Sequence, residues 1–291
     1  MYIKQIYKDK YEQLTNWKKY ETIINQFRRK SIRVNTLKTT VPKLEKELKK
    51  QGWSLTKIPW CKEAYYIEGL RRDIGNLEEH KEGHFFSQRS TSLVPSIVLQ
   101  PKETDVVLDM CAAPGGKTTH LAALMKNKGA IVANEPVPTR RRELEINLQR
   151  CGVMNTLVTQ QNGLTIKDVQ FDKILLDAPC SNSGSLRGNT KKSAEIMQQW
   201  SKNKVKKFAK LQKKLINHAY SLLKPKGVLV YATCSLDPEE DEEVLEDLLQ
   251  KTDAKLQTIN LPIKTTNKKY CKIWPQDQNT DGFFVAKITK P

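Results

Sequence analysis

The sequence predicts an α/β protein: from about residue 87, a largely parallel sheet with helices on both faces, preceded by a small α/β unit over residues 1–86. Three observations predict it. Short apolar runs alternate with longer amphipathic segments through residues 87–291. The first of these runs ends on a glycine-rich turn that opens a helix. The first 86 residues mix short strand and helix patterns without that regular alternation.

In the first unit, Ser31-Ile32-Arg33-Val34-Asn35-Thr36-Leu37 alternates like a half-buried strand. Val41, Leu44 and Leu48 then recur at helical spacing, and Gln51-Gly52 ends that helix. Trp53 to Ile58 and Ala64 to Ile67 read as strands. In the second unit, Val106 to Asp109 is a strand, followed by a helix from about Lys117. Ala130 to Asn134 is the next strand, with a helix beginning near Thr139. Thr156 to Thr159, Lys173 to Asp177 and Val228 to Thr233 complete the parallel set, with a long helix from about Lys202 to Leu223 before the last. Gly282 to Ile288 reads as a late antiparallel edge strand. Ligands of such sheets bind at the carboxyl ends of strands, near the switch in strand order.

Composition narrows the partners. Lysine and arginine total 50 against 32 acids, a formal charge of +18, which favours a polyanion. No stretch approaches the roughly 18 apolar residues of a membrane span. No apolar run follows Met1 to Ile6 as in a signal peptide, so the expected place is the cytoplasm, or the nucleolus of a eukaryotic cell. The six cysteines show no C-x-x-C spacing, so neither a metal nor a redox motif is expected.

The turn Asp109-Met110-Cys111-Ala112-Ala113-Pro114-Gly115-Gly116-Lys117 joins a strand to a helix with small residues that let a ligand approach the backbone. Glu135, at the end of the following strand, suits a hydrogen bond to ribose hydroxyls. The turn lacks the G-x-G-x-x-G of a dinucleotide site, and Cys111 stands where a phosphate-binding P-loop needs its first glycine. A nucleoside ligand fits best.

Asp177-Ala178-Pro179-Cys180 and Thr233-Cys234-Ser235 end two strands on this same ligand edge. A filler thiol falls more naturally mid-strand or on a helix's apolar face. Thiols have a chemical use beside a nucleoside. Carbon 5 of a cytosine is a poor nucleophile; a thiolate adding to carbon 6 makes it enamine-like, able to attack a methyl sulfonium. A neighbouring acid such as Asp177 can activate the ring. A second thiol can assist loss of the carbon-5 proton and expel the enzyme.

The three segments Asp109–Lys117, Asp177-Ala178-Pro179-Cys180-Ser181 and Tyr231-Ala232-Thr233-Cys234-Ser235-Leu236-Asp237-Pro238-Glu239-Glu240 resemble the Nop/Sun family of RNA cytosine-5 methyltransferases. The likeness extends to Arg33-Val34-Asn35-Thr36-Leu37, Gly83-His84-Phe85-Phe86-Ser87-Gln88 and Asp281-Gly282-Phe283-Phe284, nearly the whole chain. Around Leu124-Met125-Lys126-Asn127 it leans toward archaeal and rRNA-modifying members. The resemblance implies a Rossmann-like S-adenosylmethionine-dependent methyltransferase sheet over 87–291, and an RRM-like RNA-binding domain over 1–86. It implies Cys234 as nucleophile, Cys180 as the release thiol and Asp177 beside the methyl group and base. Cys111, Ala112, Ala113, Pro114, Gly115, Gly116 and Lys117 would wrap the cofactor, and Glu135 would hold its ribose. The substrate would be tRNA or rRNA; apart from the resemblance, a monomer is expected.

Two departures stand out. Asn162 occupies the position of the family's adenine-binding aspartate; its amide oxygen can still accept a hydrogen bond, without the charge. The family's P-C-S-G-x-G is here Pro179-Cys180-Ser181-Asn182-Ser183-Gly184, and asparagine tolerates left-handed backbone. For RNA contacts the sequence points to Arg28, Arg29 and Arg33, and to the lysine stripe of residues 202–214, chiefly Lys206 and Lys210. Arg140-Arg141-Arg142 is a weaker candidate. Tyr65, Tyr66, Phe85 and Phe86 could stack on bases, but read rather as core. Two competing readings are an RNA-binding ribosome assembly factor with dispensable catalysis and, more distantly, a DNA methyltransferase.

Overall fold

The structure, a computed structural model, describes residues 1–69, 73–265 and 267–291. Its first sheet contains β1 (Ser31–Val34), β2 (Ser54–Ile58), β3 (Cys61–Glu68) and β4 (Phe85–Ser87) in the order β2-β3-β1-β4, antiparallel throughout. One helix, Val41–Lys50, connects β1 to β2, and a short helical segment precedes β4. Strand–helix–strand–strand–helix–strand in this spatial order is RRM-like. Leu44 and Leu48 of the helix pack on Ile32, Val34, Tyr65, Ile67 and Phe85 from one face.

The opposite face of this sheet is covered too. Ile58, Ala64 and Tyr66 share a core with Leu93, Val94, Leu121 and Ala122 of the second unit. All four residues of β1 are therefore buried, where the alternation predicts a strand with one face half-exposed. Tyr65, Tyr66, Phe85 and Phe86 are core residues, each no more than 6% exposed. The face on which an RRM-like sheet would stack bases is thus the interface with its neighbour.

The second sheet contains β5 (Val106–Asp109), β6 (Ala130–Asn134), β7 (Thr156–Thr159), β8 (Phe171–Asp177), β9 (Leu223–Thr233), β10 (Lys255–Gln257), β11 (Tyr270–Ile273) and β12 (Phe283–Thr289). The order is β10-β12-β9-β8-β5-β6-β7, with β5 to β9 parallel. Alternate residues enter opposite cores: Val107, Leu175 and Val230 face one, and Leu108, Leu176 and Tyr231 the other. Helices Val94–Leu99 and Gly116–Leu124 cover the first, Lys202–Ser221 and Glu242–Lys251 the second. The late strand β12 is antiparallel, as expected, but not at the edge. It lies against β9 on one side and pairs β10 and β11 on the other.

Helices Gln5–Leu14 and Trp17–Ile24 do not join the first sheet's core. Tyr7, Tyr11, Trp17 and Tyr20 pack instead with Leu186, Trp200, Leu236 and Trp274 of the second unit. Lys10 ties them down through Asp237 at 2.7 Å and Glu239 at 2.7 Å. Among the described residues, no helix is long and apolar enough to cross a membrane.

Candidate active site

The strand order reverses at β5, whose neighbours are β6 and β8, so the crevice opens at the carboxyl ends of these strands. Asn134, at the end of β6, holds the surrounding turns together. Its Nδ2 donates to the carbonyls of Met110 (3.3 Å) and Gln161 (3.0 Å), and its Oδ1 accepts from Thr159 and the Gln161 amide. Gly115 adopts φ +103°, a left-handed conformation that starts the helix and that a side chain would strain. Asp109 is fully buried and accepts from Thr118 Oγ1 at 2.8 Å; burial pushes its carboxyl up to about 7.

A cavity of about 400 Å³ opens above this turn. Cys111, Ala112, Ala113, Pro114, Gly116, Lys117, Asp177 and Cys234 line it. Lys117 Nζ lies 2.6 Å from Asp177 Oδ2, joining the turn after β5 to the end of β8. Phe86, Gln88, Arg89, Lys192 and Phe283 close the other walls. Gly115 itself does not line the cavity, nor do Glu135 and Asn162. Glu135 is buried at the end of β6, where it accepts from the Val137 amide and lies 3.3 Å from Arg140. Asn162 is exposed, and its Oδ1 accepts from the Leu164 amide.

Parallel pairing of β8 with β9 sets Asp177 opposite Ala232, so the two cysteine turns leave adjacent strand ends together. The Cys180 and Cys234 sulfurs are 3.1 Å apart, both as free thiols. Asn182 adopts φ +64°. Its Nδ2 donates to the Cys180 carbonyl at 3.2 Å and its Oδ1 accepts from the Cys234 thiol at 3.0 Å. Below the sulfurs lies a buried polar floor. Glu240 accepts from the Ser181 amide at 2.9 Å, Gln212 Nε2 at 2.8 Å and Ser235 Oγ at 3.2 Å. Gln212 also donates to the Pro179 carbonyl at 2.8 Å. Thr233 Oγ1 donates to Asp241 at 2.6 Å.

This setting separates the six thiols. The hydrogen bond from Cys180 lowers the Cys234 thiol to about 7; burial opposes the shift and the Arg89 charge assists it. The same sulfur contact, with burial, pushes Cys180 up. Burial raises Cys61, Cys111, Cys151 and Cys271. Cys234 alone is poised to ionise near neutral pH.

The arginines expected to face RNA are mostly engaged elsewhere. Arg33 is 1% exposed, a correction to that expectation. Its guanidinium donates to Gln88 Oε1 at 3.2 Å and Thr119 Oγ1 at 2.8 Å, locking β1 to the helix Gly116–Leu124. Asn35 donates to the carbonyl of Gly83 in its own unit and to that of Cys151 in the second, so Arg33 and Asn35 join the two units. Arg28 is held by Asp281 at 2.7 Å and the Ser185 carbonyl at 3.0 Å. Arg29 stacks on Tyr66 and donates to the Gln278 carbonyl. Lys206 and Lys210 are exposed, opposite the buried face of Val205, Ala209 and Gln212, and line no part of this cavity. The sequence reading missed Arg89 and Lys192. Arg89 directly follows the Gly83–Gln88 motif, a usable signal; Lys192 carries none. Among the described residues, no group of His, Cys, Asp and Glu is arranged to hold a metal.

A family model described as 16S rRNA methyltransferase RsmB/F matches residues 96–289, and one for the N-terminal domain of 16S rRNA methyltransferase RsmF matches residues 3–90. The tRNA (cytosine(49)-C(5))-methyltransferase of Pyrococcus abyssi is 41% identical over 97% of this chain and 95% of its own length. A ribosomal RNA small subunit methyltransferase F from Vibrio parahaemolyticus is 40% identical over 90% of this chain, which spans only 57% of that relative. The crystal structure of NSun6 from Pyrococcus horikoshii with SFG superposes with a TM-score of 0.88 at 26% identity, covering 97% of both chains. A methyltransferase homologue from Pyrococcus horikoshii superposes at 0.85 with 35% identity, over 95% of this chain and 91% of that one.

Proposed function

The chain belongs to the 16S rRNA methyltransferase RsmB/F family, and on that premise we propose that it methylates carbon 5 of a cytosine in tRNA or rRNA, using S-adenosylmethionine. The observation that carries this reading is that Cys234 lines one cavity with Asp177, Cys111 and Lys117, while Cys180 stands directly behind it with its sulfur 3.1 Å away.

The cavity fits the cofactor. Ala112, Ala113 and Gly116 leave main chain accessible along one wall, and the Asp177 carboxylate suits a neighbouring sulfonium. Cys111 to Lys117 would wrap the cofactor, whose ribose and adenine would extend beyond the cavity toward Glu135 and Asn162, neither of which lines it. The bound cofactor supplies an electrophilic methyl group. The chain's own residues do the rest. Cys234 attacks carbon 6 as thiolate, forming a sulfur–carbon bond and pushing the ring's π electrons toward carbon 5. Asp177 accepts the N–H of the base and orients it. After carbon 5 has taken the methyl group, Cys180 gives its own proton to water and, as thiolate, removes the carbon-5 proton. The double bond re-forms and the Cys234 sulfur leaves as thiolate. A cytosine inside a helix cannot reach this cavity, so the target is single-stranded or flipped out.

The names of the relatives divide between tRNA and rRNA, and both substrates belong to the proposal. We place the protein in the cytoplasm, acting as a monomer. The test is transfer from labelled S-adenosylmethionine to tRNA, rRNA and matched DNA, followed by bisulfite sequencing of cellular RNA with and without the gene. Label in RNA at a discrete cytosine supports the reading. Tight RNA binding without transfer would favour an assembly factor, and preference for DNA would overturn the RNA assignment.

A further inference from the structure

We propose that Arg89 and Lys192 form a phosphodiester subsite at the mouth of the catalytic cavity, gripping the backbone of the nucleotide whose base reaches Cys234. The inference rests on the RNA-methyltransferase reading and adds to it the residues that seat the target strand.

Three cations line the cavity: Arg89, Lys117 and Lys192. Lys117 is neutralised by Asp177 at 2.6 Å. The other two are not matched. The nearest acid to Arg89 is Asp281, which pairs with Arg28 at 2.7 Å and stands 4.0 Å from the Arg89 Nε. Arg89 is held in place instead by Ser185, whose Oγ accepts from Nη1 at 2.5 Å. Its position is therefore fixed while its charge stays largely uncompensated.

Lys192 is exposed on the first turn of helix Lys191–Gln199. It has no hydrogen-bond or ion-pair partner among the described residues. A lysine in a first helical turn opposes the helix dipole, which favours anions there. The Arg89 charge, more than burial, pulls the Lys192 ammonium down, with Arg28 adding to the effect. Two like charges thus converge on one cavity mouth with a single shared carboxylate behind them. Such crowding is unfavourable until an anion sits between them. A guanidinium fork and an ammonium together suit a phosphate. A nucleotide whose base lies against Cys234 carries its phosphates to the cavity mouth. A second source of anion is the carboxylate of the cofactor itself, and the two are separable by experiment.

The test uses full-length protein with Cys234→Ser, so that binding is read without turnover. Lys192→Ala and Arg89→Gln are titrated with a single-stranded RNA containing one cytosine, across 50 to 200 mM salt, a range of about fourfold in which phosphate contacts weaken steeply. Lys192→Ala should weaken RNA binding about 3- to 10-fold and flatten the log–log salt slope by about 0.7, one contact's worth. Lys192→Arg should restore both, and affinity for S-adenosylmethionine should stay within about twofold of the parent. With Cys234 intact, the loss should appear in KM for RNA more than in kcat. An unchanged RNA affinity and slope in Lys192→Ala would overturn the subsite. So would a loss of cofactor affinity with RNA binding intact, which would give the anion to the cofactor. If the protein with Cys234 intact transfers methyl to no RNA yet the slope still falls in Lys192→Ala, the subsite stands and the proposed reaction fails.

Discussion

Cys180 and Cys234, 54 positions apart in the chain, bring their sulfurs to 3.1 Å because the parallel strands β8 and β9 end side by side. In the proposed reaction their roles differ by order of use, and single substitutions should separate them. Cys234→Ala should abolish methyl transfer and leave RNA binding within about twofold of the parent. Cys180→Ala should still attack but release slowly, accumulating a covalent protein–RNA adduct that migrates slowly on a denaturing gel. The double substitution should show no such band; an adduct surviving there would take the nucleophile's role away from Cys234.

The pair also sets a pH dependence. Contact with Cys180 brings the Cys234 thiol from 9.0 to about 7, so its thiolate fraction should rise through neutrality. Alkylation by iodoacetamide, followed by mass mapping of Cys234, should show an inflection near pH 7. Cys180→Ala removes the largest lowering influence, and the inflection should climb toward 9.0. An inflection that stays put would mean that Arg89, not the neighbouring thiol, governs ionisation.

Glu240, beneath the two cysteine turns, gives a stability signature of opposite sense to a surface ion pair. Burial raises its carboxyl from 4.5 to about 6. The folded protein therefore binds this proton more tightly than the unfolded chain. Its contribution is fully present below pH 4.5 and is lost as pH rises through about 6. The swing is about 2 kcal/mol, from the value of a pKa unit. Urea unfolding of wild type and Glu240→Gln at pH 4 and pH 7 should show the variant gaining by about that amount relative to wild type at the higher pH. Parallel pH curves would mean that the carboxyl titrates as in the unfolded chain.

Most of the fold was legible because its grammar is local. Strand-sized apolar runs and the turn after Asp109 depend on neighbours in sequence, and β5, β6 and β8 fall where the runs are. The interior place of β12 was not legible, since Tyr270–Ile273 and Lys255–Gln257 are short and weakly patterned, and only their pairing covers that strand. The cysteine pair was legible because both residues sit at strand ends. Arg33 was misread because a basic cluster looks the same whether it faces solvent or a neighbouring domain; only three dimensions show Gln88 and Thr119 waiting for it.

That burial makes Arg33 testable. Arg33→Ala would leave Gln88 Oε1 and Thr119 Oγ1 without their donor and open a cavity between the domains. A loss of about 2–4 kcal/mol in urea unfolding is expected, in the range for broken buried networks. An RNA contact would behave otherwise: normal stability with weakened, less salt-sensitive RNA binding.

Gly184 explains which glycine of the cysteine loop this chain can replace. Position 182 needs a left-handed backbone, which Asn182 supplies at φ +64° while its side chain also bridges the Cys180 carbonyl and the Cys234 thiol. At position 184 the constraint is space. A Cβ there would come 2.7 Å from the Gly282 carbonyl oxygen and 3.0 Å from that of Cys234. Both obstacles are main chain, so neither can swing aside as a flexible side chain would. The loop is pinned at that point, since the Gly184 amide donates to the Cys234 carbonyl at 3.0 Å and the Gly282 amide to the Gly184 carbonyl at 2.7 Å. Gly184→Ala should therefore push the Cys180 turn off the Cys234 turn. We expect about 1–3 kcal/mol of destabilisation, the usual cost of overpacking. Oxidant-driven closure of a Cys180–Cys234 disulfide should slow about tenfold or more, because a bond between sulfurs needs them held in contact. Asn182→Gly keeps the backbone and adds no atoms but loses the bonds to the Cys180 carbonyl and the Cys234 thiol, so it should slow closure less than Gly184→Ala does. If Gly184→Ala closed the disulfide as fast as wild type, the packing of this loop on Gly282 would not be what holds the two sulfurs together.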